Sequence, residues 1–129
     1  MDFLAQMKSY IEDSVQLYKT PLSVSMLKDG NDIAIRTAPG SAADRYVSGQ
    51  KTHSFQFQIL TRHETDKTAY DALQDITNEI DGLTNGTITS CNGSFIFNQC
   101  EVYTLPNFVE ETDHGESIYT AMFRAEIYL

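Results

Sequence analysis

The sequence predicts an α+β fold: a mainly antiparallel sheet with an N-terminal helix and a central helix packed on one of its faces. Three observations carry this. Two segments space their apolar residues at the helical period, two others alternate strictly at the strand period, and the order runs helix, strands, helix, strands, without the repeated strand–helix units of a parallel sheet.

The first helix spans 2–18, where Phe3, Leu4, Met7, Tyr10, Ile11 and Val15 form one apolar stripe, and Thr20-Pro21 stops it because proline disfavours helix in the residue before it. "KDGND" at 28–32 is turn chemistry, and "DIAIRT" at 32–37 reads as a short strand. Ala38 to Thr52 is polar and studded with Gly and Ser, so a long loop is expected there. From His53 the pattern becomes regular: Phe55, Phe57 and Ile59 share one face, while Ser54, Gln56 and Gln58 share the other.

Thr65 or Asp66 caps the second helix, whose stripe is Ala69, Tyr70, Leu73, Ile76 and Ile80, and Gly82 closes it in the left-handed conformation with Leu83 behind it. Asp71, Asp75, Glu79 and Asp81 fall on the outward side. Turns at Asn85-Gly86 and Asn92-Gly93 separate strands expected at 87–91, 94–104, 108–110 and 117–129. In the last of these Tyr119, Ala121, Phe123, Ala125 and Ile127 share a face. Pro106 signals a bend or an edge.

At 129 residues and 41% hydrophobic, the chain is expected to form one domain, 1–129, around one core. No apolar run approaches the roughly 20 residues that span a bilayer, and the first residues lack a secretory pattern, so a soluble, unprocessed protein with no membrane partner is expected. Cys91 and Cys100 match no zinc spacing. With a two-residue turn at Asn92-Gly93 they are too far apart along the hairpin to pair, so reduced thiols are expected.

The net charge of −9 disfavours a protein that works by neutralising nucleic-acid phosphates. Its distribution is uneven. Residues 1–35 hold three bases and five acids, 36–63 four bases and one acid, and 64–129 two bases and twelve acids.

Signatures of catalysis are weak. "SGQKT" lacks the upstream glycine and the residue order of a phosphate-binding loop. "HETD" at 63–66 has metal-capable side chains without a helical histidine pair, and reads as a strand exit followed by a helix cap. Asp113-His114, followed by Gly115, reads as a solvated turn. No catalytic residue, cofactor or metal site is expected, and the enzyme reading is no.

Taken together, "SFQFQILT", "YDALQDITNEIDGL" and "NGSFIFNQCEVYTLPNFVEETDHGESIYTAMFRAEIYL" resemble the small minor capsid or tail-terminator proteins of long-tailed bacteriophages. The resemblance runs from about Ile33 to Leu129 and implies a tail-terminator-like fold. It also implies a virion protein, made in the host bacterial cytoplasm, at the head-tail junction. Such a protein is a self-associating ring, commonly a hexamer, that ends tail-tube growth and joins the tail to the head connector. The implied partners are further copies of the chain, the tail-tube protein and a head connector or stopper protein, with DNA passing through the lumen without specific binding.

A closed ring needs two different, complementary surfaces on each subunit. The expected interface therefore sets Arg36, Arg45, Tyr46, Val47, Lys51 and Arg62 against Asp71, Asp75, Glu79 and Glu110 of the next copy. The alternatives are another minor capsid or neck protein, a binding module that uses its sheet edge to recruit a host or scaffold protein, or a small metal-dependent hydrolase built on His63, Glu64 and Asp66 or on Asp113 and His114.

Overall fold

The computed structural model describes residues 3–38, 43–47, 50–84, 87–88, 93 and 95–128, giving only the backbone at 43–47 and 50–53. Its elements are α1 (Phe3–Ser14), β1 (Ser23–Val24), β2 (Asp32–Thr37), β3 (Ala43–Val47), β4 (Gln50–His63), α2 (Asp66–Ile80), β5 (Ile96–Glu111) and β6 (Ser117–Tyr128). The six strands form one sheet in the order β1-β2-β4-β6-β5, with β3 pairing to β4 off this path. Among the described strands, only the short β1–β2 pair is parallel. The fold is α+β and mostly antiparallel, as the apolar periods predict.

Both helices lie on one face. Phe3, Met7 and Ile11 of α1 and Ala72, Leu73, Ile76 and Ile80 of α2 join a core with Ile33, Ile35, Phe57, Ile59, Ala121, Phe123, Ala125 and Ile127 of the sheet. Phe3 is its aromatic hub, with ring centroids 5.0 Å from Phe55, 5.4 Å from Phe95, 5.9 Å from Phe57 and 6.2 Å from Phe97. Gly82 has φ of +85°, the left-handed conformation that ends α2 without the steric penalty of a Cβ.

Several elements differ from the sequence expectation. α1 stops at Ser14 rather than 18, because the next residues are used for anchoring. The Leu22 amide donates to Glu12 Oε2 at 2.7 Å, and the Tyr18 hydroxyl lies 2.9 Å from the Asp32 carbonyl and 2.8 Å from that of Arg62. Residues 38–52 are not loop throughout. β3 pairs with the start of β4, from Val47 opposite Gln50 to Ala43 opposite Ser54. Backbone ladder bonds need no apolar alternation, so this arm carries no hydrophobic signature.

Tyr70 is 39% exposed, and the buried stripe of α2 runs through Ala72 and Thr77 instead. Thr65 occupies the cap position of α2 without a side-chain capping bond; its own amide donates to His63 Nδ1 at 2.9 Å. Residues 96–111 form one strand rather than two separated by Pro106. No strand covers 87–88, where Thr87 turns back onto the Thr84 carbonyl, and 89–92 with Cys91 lie outside the described residues. Cys100 is a buried free thiol.

Candidate subunit interface

The basic residues of the middle segment separate into two groups. Arg45, Tyr46 and Val47 lie on β3 and Lys51 near the start of β4, with Arg45 in register with Thr52 and Tyr46 with Lys51. β2 pairs with β4 from Phe57 to Arg62, and β3 with Gln50 to Ser54, so the β3–β4 arm continues the β2 side of the sheet beyond Thr37. On the other side the described pairs between β4 and β6 run as far as Thr52 and Tyr128, and the Val47–Gln50 and Tyr46–Lys51 pairs of the arm lie beyond them. The second group belongs to the sheet face away from the helices. Arg36 donates from Nε to Gln58 Oε1 at 2.7 Å, while Arg62 donates to the Gly30 carbonyl at 2.7 Å and faces Glu116 at 3.9 Å. Arg62 is thus tied into its own chain through Nε, while its buried Nη2 has no hydrogen-bond partner among the described residues.

The acidic residues also fall on two surfaces. Asp71, Asp75 and Glu79 follow one another at four-residue spacing on α2, with Lys67 Nζ 2.6 Å from Asp71 and the Tyr10 hydroxyl donating to Glu79 at 3.2 Å. Asp75 and Glu79 line a shallow groove with Ser14, Val15 and Gln16 at the end of α1. Glu110 is in register with Ile118, which is in register with Arg62, and this places it on the helix-free side of the sheet. The fold does not gather Glu110 with the three acids of α2.

A third feature was not legible in the sequence. β5 is an outer strand, and its register against β6 shifts four times, between Phe97/Gln99, Val102/Thr104, Thr104/Asn107 and Phe108/Glu110. Each shift inserts an extra residue, and the last three fall at Tyr103, Leu105-Pro106 and Val109. A bulge turns side chains out of the alternating pattern, and here the exposed large apolar residues of β5 include Tyr103 at 54%, Leu105 at 67% and Val109 at 48%. Phe108, 53% exposed, packs edge-on against Tyr119, which packs edge-on against Tyr70. The first half of this edge is covered: Cys100 exchanges backbone bonds with Gly82 and Leu83, and the Val102 amide donates to Asp81. No described strand covers the second half.

The candidate catalytic groups do not assemble. His63 Nδ1 is occupied by the Thr65 amide and its ring packs edge-on against Tyr18 at 4.7 Å. Asp113 and His114 sit in a turn closed by the Gly115 amide to the Thr112 carbonyl, and Asp66 accepts from the Tyr119 hydroxyl. Among the described residues, no group of three or more His, Cys, Asp or Glu is arranged to hold a metal ion.

Among the described residues, the one fully buried carboxylate is structural. Asp32 accepts from the Ser23 hydroxyl at 2.6 Å and the Lys28 amide at 2.7 Å, with Lys19 at 3.7 Å. Burial alone would raise its pKa, but the Ser23 hydroxyl, the Lys28 and Ile33 amides and the Lys19 ammonium outweigh it and hold the carboxyl below its ordinary value. This node ties β1 and the 28–31 turn to β2.

Comparison with known proteins places these features. None of the curated proteins matches the sequence. A solved chain described as the virion of a native gene transfer agent (GTA) particle has the same fold, with a TM-score of 0.63 at 12% identity over 97% of this chain and 86% of that one. A family model described as bacteriophage tail terminator protein matches residues 12–129, so the chain belongs to the bacteriophage tail terminator family and is a structural protein of the phage tail.

Proposed function

We propose that the protein is a ring-forming tail terminator at the head-tail junction, ending tail-tube growth and joining the tail to the head connector or stopper. The carrying observation is the segregation of charge on opposite parts of the fold. The arm bears Arg45 and Lys51 against a single acid, Asp44, and its ladder runs past the last described β4–β6 pair, whereas the acids of residues 64–129 gather on α2 and along β5–β6. Identical copies that present a basic projection and an acidic body associate head to tail, and a rotational head-to-tail contact that closes is a ring, six copies in this reading. Electrostatics sets register and encounter rate, and apolar contacts near Tyr46 and Val47 add holding energy. Acids facing the lumen repel phosphate, which lets the duplex pass without sticking.

Two measurements test this. Tails assembled without the protein are expected to lose their uniform length and fail to join heads; unchanged length and joining would reject the role. Reversal of Arg45 and Lys51 to Glu is expected to lower oligomer mass at low and moderate salt, and unchanged assembly would remove the arm from the interface.

A further inference from the structure

We infer that the uncovered half of β5, Tyr103 to Glu111, is the surface that receives the β3–β4 arm of an adjacent copy. The inference rests on the ring reading above and specifies which of the acidic surfaces makes the contact.

An outer strand whose backbone groups are free invites pairing with any other chain, and bulges and proline are the usual means of blunting it. β5 carries both, with Pro106 and three register shifts in its uncovered half. Blunting alone would be served by charged side chains at the bulges. Instead the extra residues include Tyr103 and Val109, with Leu105 beside Pro106, all about half exposed or more, and Phe108 lies among them. Such a strand rejects indiscriminate ladder formation while offering apolar side chains to a partner of matching shape, which is the composition of a specific contact surface.

The surroundings point to the occupant. From Glu101 to Glu116 there are five acids and no Lys or Arg. Glu101 is engaged by Arg124 and Glu116 faces Arg62, which leaves Glu110, Glu111 and Asp113 without an ion pair to a base among the described residues. A partner that brings apolar residues flanked by positive charge fits this surface, and the chain itself carries such a segment in Arg45, Tyr46, Val47 and Lys51, where two bases outnumber the one neighbouring acid, Asp44. The arm lies on the β2 side of β4 whereas β5 is the strand at the other margin of the sheet. The two surfaces are therefore different parts of the molecule, as a head-to-tail contact requires. Glu110, and not the α2 stripe of Asp71, Asp75 and Glu79, is the acidic member of the proposed site that lies at this contact.

The test uses the photo-crosslinker p-benzoylphenylalanine at Leu105 or Val109 in protein assembled into phage particles, with exposed Asp13 on α1 as the control position. Irradiation is expected to give an adduct at twice the 14.5 kDa of one chain, from Leu105 or Val109 but not from Asp13, with the link in the tryptic peptides 37–45 or 46–51. Adducts to another virion protein or to another part of the chain, or no adduct in protein present in particles, would overturn the inference and leave the terminator role standing. Absence of the natural protein from particles would overturn both.

Discussion

Replacing Asp32 tests whether a buried carboxylate holds the β1–β2 corner together. In Asp32→Ala the Ser23 hydroxyl and the Lys28 amide lose the Oδ2 atom that both now use. Leaving a buried donor unpaired costs roughly 1–3 kcal/mol, so the two donors and the small cavity together predict a loss of about 4 kcal/mol. Asp32→Asn retains a neutral acceptor for both donors but loses the charge, which roughly halves each bond, and turns an amide toward Lys19; about 2 kcal/mol is expected. For a chain of this length the alanine variant should melt some 10 °C or more below the natural protein. The folded carboxyl is held below its ordinary value, so the charge stabilises fully above the unfolded pKa of about 3.9 and fades as pH falls through the folded value. Urea titrations from pH 7 downward should therefore show the gap between natural protein and Asp32→Asn shrinking in acid. An alanine cost below about 1 kcal/mol, or a gap independent of pH, would refute the reasoning.

Other outcomes follow from the same physics. Phe3→Ala removes the ring at the centre of four aromatic contacts and should cost about 3–5 kcal/mol in a guanidinium titration. Gly82→Ala meets no atom within 4 Å but must hold φ at +85°, so a backbone cost of about 1–2 kcal/mol is expected by thermal melting. Arg124→Ala breaks an exposed pair with Glu101 and should change stability by less than about 1 kcal/mol, with no difference left at high salt. Burial, with Asp81 and Glu101 nearby, pushes the Cys100 thiol up to about 12, so alkylation of the folded protein at Cys100 should be negligible at pH 8 and appear only on unfolding.

The elements with a buried face were the most legible. Met7 and Ile11, Leu73 and Ile76, Phe57 and Ile59, and Phe123 and Ala125 announced two helices and two strands by period alone, and each is buried where its period puts it. The β3–β4 arm was missed because hydrogen-bonded backbone outside the core needs no apolar repeat. The bulges of β5 were missed because an inserted residue breaks the alternation by which a strand is recognised, so Pro106 looked like an interruption in what is one strand. Of the interface residues, the basic cluster was visible as a local excess of charge. That Arg62 is bonded to Gly30, and that Glu110 lies across the sheet from Asp71, Asp75 and Glu79, depends on tertiary register that charge counting does not contain.

Ring closure depends most on one geometric relation between neighbouring copies, and electron cryomicroscopy of the head-proximal end of the tail measures it directly. The expected image is a single closed ring in which adjacent copies are related by rotation about the tail axis, each β3–β4 arm seated on the Tyr103–Glu111 edge of the next. Copies related by two-fold axes, or arms that touch no neighbour, would contradict it.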